Sequence, residues 1–149
     1  MFAEMFAQLG KMPDPISNEE YRARQKSLYE SLRDDDLLIL CSANETIHYN
    51  DVHHPYRTQS NLLYLSGWTE PDAVFCAVNK NGTWQSHIFV QPKDTLKEIW
   101  EGRRPGVEGA LADWPVDFAH SIDDLAEKLG NMVTGSSRIL HRMGVKSSV

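Results

Sequence analysis

The side chains with the clearest capacity for chemistry are three histidines and an aspartate in the run HYNDVHH: His48, Asp51, His53 and His54. Imidazoles and a carboxylate this close together could hold zinc or another transition metal, which would suit a small metal-dependent hydrolase. In an extended chain, His48 and His54 would share a face while His53 would point the other way. The spacing matches neither a helical His-Glu-x-x-His motif nor a paired-cysteine site. The clustered side chains keep a small metal-dependent hydrolase as an alternative interpretation, and the unmatched spacing argues against making it the leading one.

Two other segments combine aromatic and charged side chains at high density. Residues 56–73 read YRTQSNLLYLSGWTEPDA, and a later run reads EIWEGRRPG. In that run Trp100 could project from a rim, and Arg103 and Arg104 offer planar donors for carboxylates. The contrasting interpretation is that Trp68 and Trp100 are core aromatics and that both arginines are solvated.

The sequence has no motif for nucleophilic catalysis or phosphate binding. No serine lies in a Gly-x-Ser-x-Gly turn, and no Gly-x-Gly-x-x-Gly or P-loop pattern occurs. Cys41 and Cys76 lie in apolar runs, where a thiol behaves as a small hydrophobe. We therefore expect no self-sufficient set of catalytic residues in this chain.

The overall composition is typical of one globular domain. The chain has 149 residues, of which 41% are apolar and 24% charged, and its formal net charge is −6. Its 15 basic residues are scattered, which argues against nucleic acids and membranes as partners. We expect a cytoplasmic protein, because the sequence shows neither a secretory signal nor a membrane span and its cysteines suit a reducing compartment.

Local patterns predict the elements that must position these side chains. Residues 1–15 end in KMPDP and are predicted to be an N-terminal arm, with the fold beginning near Ile16. A helix capped by Ser17 or Asn18 follows, and the acids at 34–36 are predicted to form the turn that ends it. Later strands are predicted at 37–41, 73–79, 86–91 and 138–143, and later helices from Asp94, after Pro105-Gly106, and over 121–133 with Ser121 as cap.

The fold class follows from how these elements connect. Asn81-Gly82 between two strand-like runs predicts a tight hairpin. The order α–β–loop–β–β–α–α–β predicts an α/β fold, in which a mixed β-sheet is flanked by helices.

The two aromatic and charged segments together resemble the N-terminal domain of Xaa-Pro aminopeptidases, also called aminopeptidase P, in the metallopeptidase family related to prolidase and creatinase. The family pattern runs from Tyr-Arg through Ser-Gly-aromatic and Glu-Pro to a later Trp-x-Gly-Arg-Arg. The matching residues are Tyr56, Arg57, Ser60, Tyr64, Ser66, Gly67, Trp68, Glu70, Pro71, Ala73, Trp100, Gly102, Arg103 and Arg104. The likeness extends over residues 16–142.

The resemblance implies a division of labour within a larger enzyme. In the family, this domain precedes a pita-bread catalytic domain that holds two divalent metals, usually manganese, and releases an N-terminal residue that precedes proline. We therefore expect residues 16–149 to be the N-terminal-like domain, with the catalytic domain absent from this chain and no catalytic residue, metal or cofactor of its own. The implied partners are that catalytic domain, further copies of the chain in a homo-oligomer and, in the complete enzyme only, a peptide substrate.

The resemblance also implies roles for individual residues. Trp100 matches a tryptophan that lines the substrate cleft, and Trp100, Arg103 and Arg104 are expected at that cleft or at an interface. The residues expected to shape the first segment are Tyr56, Arg57, Ser60, Tyr64, Gly67, Trp68, Glu70 and Pro71. Arg57 and Glu70 are expected to hold the segment in shape through buried charge-assisted hydrogen bonds. A stand-alone interaction module that reuses this fold is the second alternative, beside the hydrolase.

Overall fold

The computed structural model describes residues 15–42 and 60–141, and the backbone alone of 47–48 and 52–53. Its main feature is a five-stranded mixed sheet, whose strands from one edge to the other are Phe118–Ser121, Thr83–Val90, Val74–Lys80, Asp36–Cys41 and Arg138–His141. The strands are β1 (Asp36–Cys41), β4 (Val74–Lys80), β5 (Thr83–Val90), β6 (Phe118–Ser121) and β7 (Arg138–His141), while β2 (Ile47–His48) and β3 (Val52–His53) form a separate pair. Strand β4 runs antiparallel to β1 and β5, whereas the edge strands β7 and β6 run parallel to their neighbours.

Five α-helices accompany the sheet within the described residues. They are α1 (Asn18–Tyr29), α2 (Ser60–Ser66), α3 (Thr95–Glu101), α4 (Gly106–Asp113) and α5 (Leu125–Thr134), the last preceded by a 3₁₀ turn (Ile122–Asp124). Ser17 caps α1 by accepting from the Glu20 amide, and Asp94 caps α3 by accepting from two amides. The helix starts predicted at these two caps are confirmed.

The hairpin between β4 and β5 forms where the sequence predicts it. Asn81 and Gly82 have φ angles of 54° and 84°, and Lys80 pairs with Thr83 across the turn. Two successive positive φ angles give a type I′ turn, whose twist matches that of the flanking strands.

Helices cover both faces of the sheet. Side chains alternate between the faces along each strand: Leu38 and Phe75 pack under α2 and α4, whereas Leu37 and Phe89 pack under α5. Strands β1 and β4 are buried on both sides, as their continuous apolar runs predict. The α/β fold with a mixed, helix-flanked sheet is thus confirmed.

Several local features differ from the sequence prediction. Asp36 is not part of the turn that ends α1; it opens β1 and is fully buried. Residues 60–66 form helix α2, and the short strand β6 was not predicted. Ser121 caps the 3₁₀ turn, so that α5 begins only at Leu125. The predicted arm at 1–15 lies outside the described residues except for its last position.

Candidate functional site

Trp68 and Gly67 pack the first motif segment, as far as the structure describes it, against the rest of the domain. Trp68 is 2% exposed, lies in the core and meets Trp114 edge to face with ring centroids 4.8 Å apart. Gly67 has a φ of 72°, and a Cβ at this position would lie 2.8 Å from the Tyr21 ring. The backbone angle therefore strongly favours glycine at 67, and a Cβ there would also have to displace the end of the Tyr21 side chain.

Tyr64 links the same segment to helix α1. Its ring lies beneath the Arg24 guanidinium, 4.4 Å from the ring centroid, and its carbonyl oxygen accepts a 3.0 Å bond from Arg24 Nη1. Ser60 is the first residue of α2. Cation–π contact and hydrogen bond together fix α2 against α1.

The remaining residues of this segment include Arg57 and Glu70, for which buried charge-assisted hydrogen bonds are predicted. Glu70 and Pro71 are partly exposed. Tyr56 and Arg57 lie outside the described residues, so these hydrogen bonds stay a prediction.

The histidine-rich run is described only in part. Backbone pairing joins Ile47 to His53 and His48 to Val52. Asp51, His54 and the side chains of the run lie outside the described residues. Across the parts of the chain that are described, no three His, Cys, Asp or Glu side chains are grouped so that they could hold a metal ion.

Helix α3 carries an apolar face that points away from the domain. Leu96, Ile99 and Trp100 are 76%, 72% and 88% exposed, and no residue of α3 is buried. The spacing i, i+3, i+4 places all three on one side of the helix. We call these three residues the α3 face. Arg103 follows it and is also exposed.

The second arginine of the motif has a different environment from the first. The Arg104 side chain is 10% exposed, and its Nη2 donates to Glu101 Oε2 at 2.8 Å. Its Nη1 donates to the Pro92 carbonyl oxygen at 3.3 Å, and its backbone N–H donates to Glu98 Oε1 at 2.7 Å. Arg103 and Arg104 therefore differ: the structure places Arg103 at the surface, whereas the Arg104 guanidinium is engaged within the chain.

A pair of histidines that the sequence analysis did not single out lies on the α5 side of the sheet. His87 Nδ1 and His120 Nε2 are 2.9 Å apart, and His87 stacks on Phe118. The ring centroids are 5.2 Å apart with the planes 15° apart, so the two nitrogens face each other along one line. That geometry fits a shared N–H···N hydrogen bond, since two metal ligands would instead converge on a common point.

Burial controls the protonation of these groups. Burial, aided by the nearby His120, lowers the pKa of His87 to about 4. Burial also lowers the pKa of His120. Burial raises the pKa of the Cys76 thiol to about 12, which makes its thiolate scarce at neutral pH. The sequence could have indicated the histidine pair only if His87 and His120 were predicted to lie on adjacent strands. That prediction was not possible because strand β6, which carries His120, was not predicted.

The fold and its site define a class: an α/β domain with a helix whose apolar face is exposed, and with no group of three or more potential metal ligands among its described side chains. The chain belongs to the aminopeptidase P N-terminal domain family, whose model matches residues 21–141. The resemblance inferred from the two motifs is confirmed.

Individual relatives agree with this assignment. Xaa-Pro aminopeptidase of Haemophilus influenzae is 31% identical over 91% of this chain and 30% of its own length. Intermediate cleaving peptidase 55 of Saccharomyces cerevisiae is 31% identical over 90% of this chain and 27% of its own length. Escherichia coli aminopeptidase P with the inhibitor Pro-Leu has a TM-score of 0.84 at 27% identity, covering 91% of this chain and 31% of that one.

Two further facts bear on function. The chain spans about 30% of the length of these two curated relatives. In the part of the chain that the structure describes, no helix has the length and apolar character needed to cross a membrane.

Proposed function

We propose that this chain is the non-catalytic N-terminal domain of a Xaa-Pro aminopeptidase-like metallopeptidase. It docks on the catalytic region of the longer protein, contributes to its assembly, and forms part of the wall of the substrate cleft. The observation that carries the proposal is the α3 face, whose three large apolar side chains are more exposed than any other large apolar side chain in the described part of the chain.

The composition of the α3 face suits a docking surface. Contiguous exposed apolar side chains typically mark interaction sites. Trp and Arg are enriched among residues that dominate binding free energy, and here Trp100 and Arg103 are both exposed and three positions apart in the chain. Trp100 could pack its ring on a peptide or on the partner region, and Arg103 could donate to a carboxylate. A wall of this kind would exclude water and large substrates from the cleft.

The occupant that we assign to this surface is the catalytic region of the same protein. About 70% of each curated relative's length lies beyond the part that this chain matches. One solved relative is described as zinc-substituted Escherichia coli aminopeptidase P in complex with product. No described group here fits a metal, so the divalent metals implied by the family, manganese by resemblance, would be held in that region.

The absence of independent catalysis is tested on the chain itself. The purified 149-residue chain is incubated with an Xaa-Pro peptide and manganese, and bound metal is quantified in the same sample. We expect no release of the N-terminal residue and no stoichiometric metal. Turnover that follows bound metal and disappears when His53 and His54 are replaced would overturn the proposal in favour of the small hydrolase.

Docking is tested in a fusion of this chain to the catalytic region of Escherichia coli aminopeptidase P. We expect Trp100→Ala to lower kcat/KM or the extent of assembly of the fusion. The matched control is Leu111→Ala, which truncates another exposed apolar side chain, on α4. Equal effects of the two changes would contradict a docking role for the α3 face. A stable assembly formed by the isolated chain through this face would instead favour the stand-alone interaction module.

A further inference from the structure

We infer that Arg104, together with Glu98, is a positioning residue that holds helix α3 in place and thereby presents the α3 face. The inference rests on the proposed function in one respect, namely that this face is a docking surface. Arg104 acts on docking without being required to touch the partner.

Helix α3 lacks the usual source of helix stability. It has only seven residues, and none of them is buried. Isolated helices of this length are marginal in water, and helices in proteins normally derive their stability from packing an apolar face. In α3 that face points outward. Something other than hydrophobic packing must therefore hold the helix.

Besides the Asp94 cap, Arg104 makes the contacts that replace this packing. Its guanidinium donates to the Pro92 carbonyl oxygen, just before the helix, and to Glu101 in the last turn of the helix. Its backbone N–H donates to Glu98, whose side chain is 15% exposed. One residue thus ties the segment before α3, its middle and its end together. The bonds to Pro92 and Glu98 are partly buried and therefore stronger than at an open surface, whereas Glu101 is 61% exposed and its bond to Arg104 is weaker.

The backbone around α3 is shaped to allow these contacts. Gly102, which ends the helix, has a φ of 94°, a backbone angle that favours glycine, and its N–H donates to the Glu98 carbonyl oxygen at 3.0 Å. Gly106 has a φ of 71°, and a Cβ there would lie 2.7 Å from Lys93 Cγ. The segments on either side of α3 therefore run close together, and Arg104 lies where it can join them.

The side chain at 104 has to be a guanidinium. Its planar fork donates to Pro92 and Glu101 from two different nitrogens at once. A lysine ammonium is a single point charge on a flexible stem and does not reproduce that fixed geometry. Arg103, exposed beside it, provides a control of the same residue type.

A fixed helix favours docking. If α3 were ordered only on contact, the entropy cost of ordering it would reduce the affinity. Holding Leu96, Ile99 and Trp100 in one arrangement beforehand removes that cost. The polar contacts beneath α3 thus act on the same binding equilibrium as its apolar face.

The test uses the 149-residue chain and its Arg104→Ala, Arg104→Lys and Arg103→Ala variants. Amide hydrogen exchange is measured over residues 95–102, along with 15N relaxation of the Trp100 indole and the melting temperature. In Arg104→Ala we expect amide hydrogens over residues 95–102 to exchange at least roughly tenfold faster, because local hydrogen bonds are lost. We also expect greater motion of the Trp100 indole. The melting temperature changes little, Arg104→Lys recovers part of the protection, and Arg103→Ala matches the unmodified chain.

Two results would overturn the inference. One is unchanged exchange over 95–102 in Arg104→Ala. The other is loss of protection across the whole domain, or failure of this variant to fold, because Arg104 would then support the domain rather than α3. Glu98→Ala, which removes the acceptor of the Arg104 N–H, gives a second measurement and should also speed exchange of α3 alone.

Failure of this inference is distinguishable from failure of the proposed function. If Trp100→Ala leaves the fusion enzyme unaffected while Arg104→Ala still loosens α3, the docking role is wrong and the positioning role stands. If Trp100→Ala impairs the fusion while exchange in Arg104→Ala is unchanged, the docking role stands and the positioning role is wrong.

Discussion

Asp36 and Arg138 form a two-point ion pair across the parallel strands β1 and β7, although 102 positions separate them in the chain. Arg138 Nε donates to Asp36 Oδ1 at 2.8 Å and Nη2 to Oδ2 at 2.7 Å. The Arg33 N–H donates to the same carboxylate at 2.8 Å. Since Asp36 has no exposed surface, this pair anchors the edge strand to the core. The hydrogen bonds from Arg138 hold the pKa of the Asp36 carboxyl below its usual range.

Removing one partner of this pair should destabilise the domain more than removing both. Arg138→Ala leaves a buried carboxylate without its cation, which is costly, whereas Asp36→Asn with Arg138→Ala removes the stranded charge as well. We expect the double variant to melt at a higher temperature than Arg138→Ala alone. Arg33→Ala is the control, because the Arg33 hydrogen bond to Asp36 is made by the backbone and the variant removes only the smaller effect of the Arg33 charge. A double variant less stable than the single one would contradict this account.

Stability should fall as the pH falls from about 6.5 to about 4, because of His87. An unfolded histidine takes up a proton near pH 6.5, whereas the pKa of folded His87 is about 4. In this window the unfolded state binds more protons, so the contribution is fully present above pH 6.5 and is lost as the pH falls. Asp36 acts in the same direction at lower pH, below the ordinary pKa of an aspartate near about 3.9.

Urea unfolding at several pH values between 7.5 and 4.5 would check this window. We expect His87→Phe, whose ring could stack on Phe118 as His87 does, to show a shallower fall. His120 would remain and, being partly exposed, could bond to water. An unchanged slope in this variant would rule out His87 as the source.

The two tryptophans of the motifs should respond oppositely to truncation. Trp68→Ala removes a core ring and should lower the free energy of unfolding by about 3–5 kcal/mol. Trp100→Ala should change it by no more than about 0.5 kcal/mol, since Trp100 is mostly in water. Denaturant titration of both variants compares them directly. A large loss in Trp100→Ala would refute its surface position.

Replacement by alanine should change the stability of the domain in opposite directions at two glycines. Gly67→Ala should destabilise by about 1–2 kcal/mol from its left-handed backbone alone, with a further cost from the Tyr21 ring. Gly130→Ala, in helix α5 with open space around it, should stabilise by about 0.4–1 kcal/mol. Melting curves of the two variants test this pair. Equal shifts would show that Gly67 is not required for its conformation.

Part of the fold could be predicted because it depends on neighbours in sequence. The β4–β5 turn needs only Asn81-Gly82 and its flanking apolar runs, and the starts of α1 and α3 need only a capping side chain and the amides that follow it. Gln25 could not be predicted, since helical spacing favours apolar residues inside. It is 1% exposed because its amide donates to the carbonyls of Leu65 and Pro115, 40 and 90 positions away.

By itself the sequence determined the fold class, since apolar periodicity, caps and turn residues act over a few positions. The resemblance of its two motif segments to a known family indicated the family and the segments of interest. Only the tertiary structure decided which member of each similar pair does what. Trp68 is buried in the core, whereas Trp100 is exposed. The Arg104 guanidinium is hydrogen-bonded within the chain, whereas Arg103 is exposed. Asp36 is buried, although its neighbour Asp35 is exposed. These distinctions depend on partners brought close by folding, which residue type and local spacing do not encode.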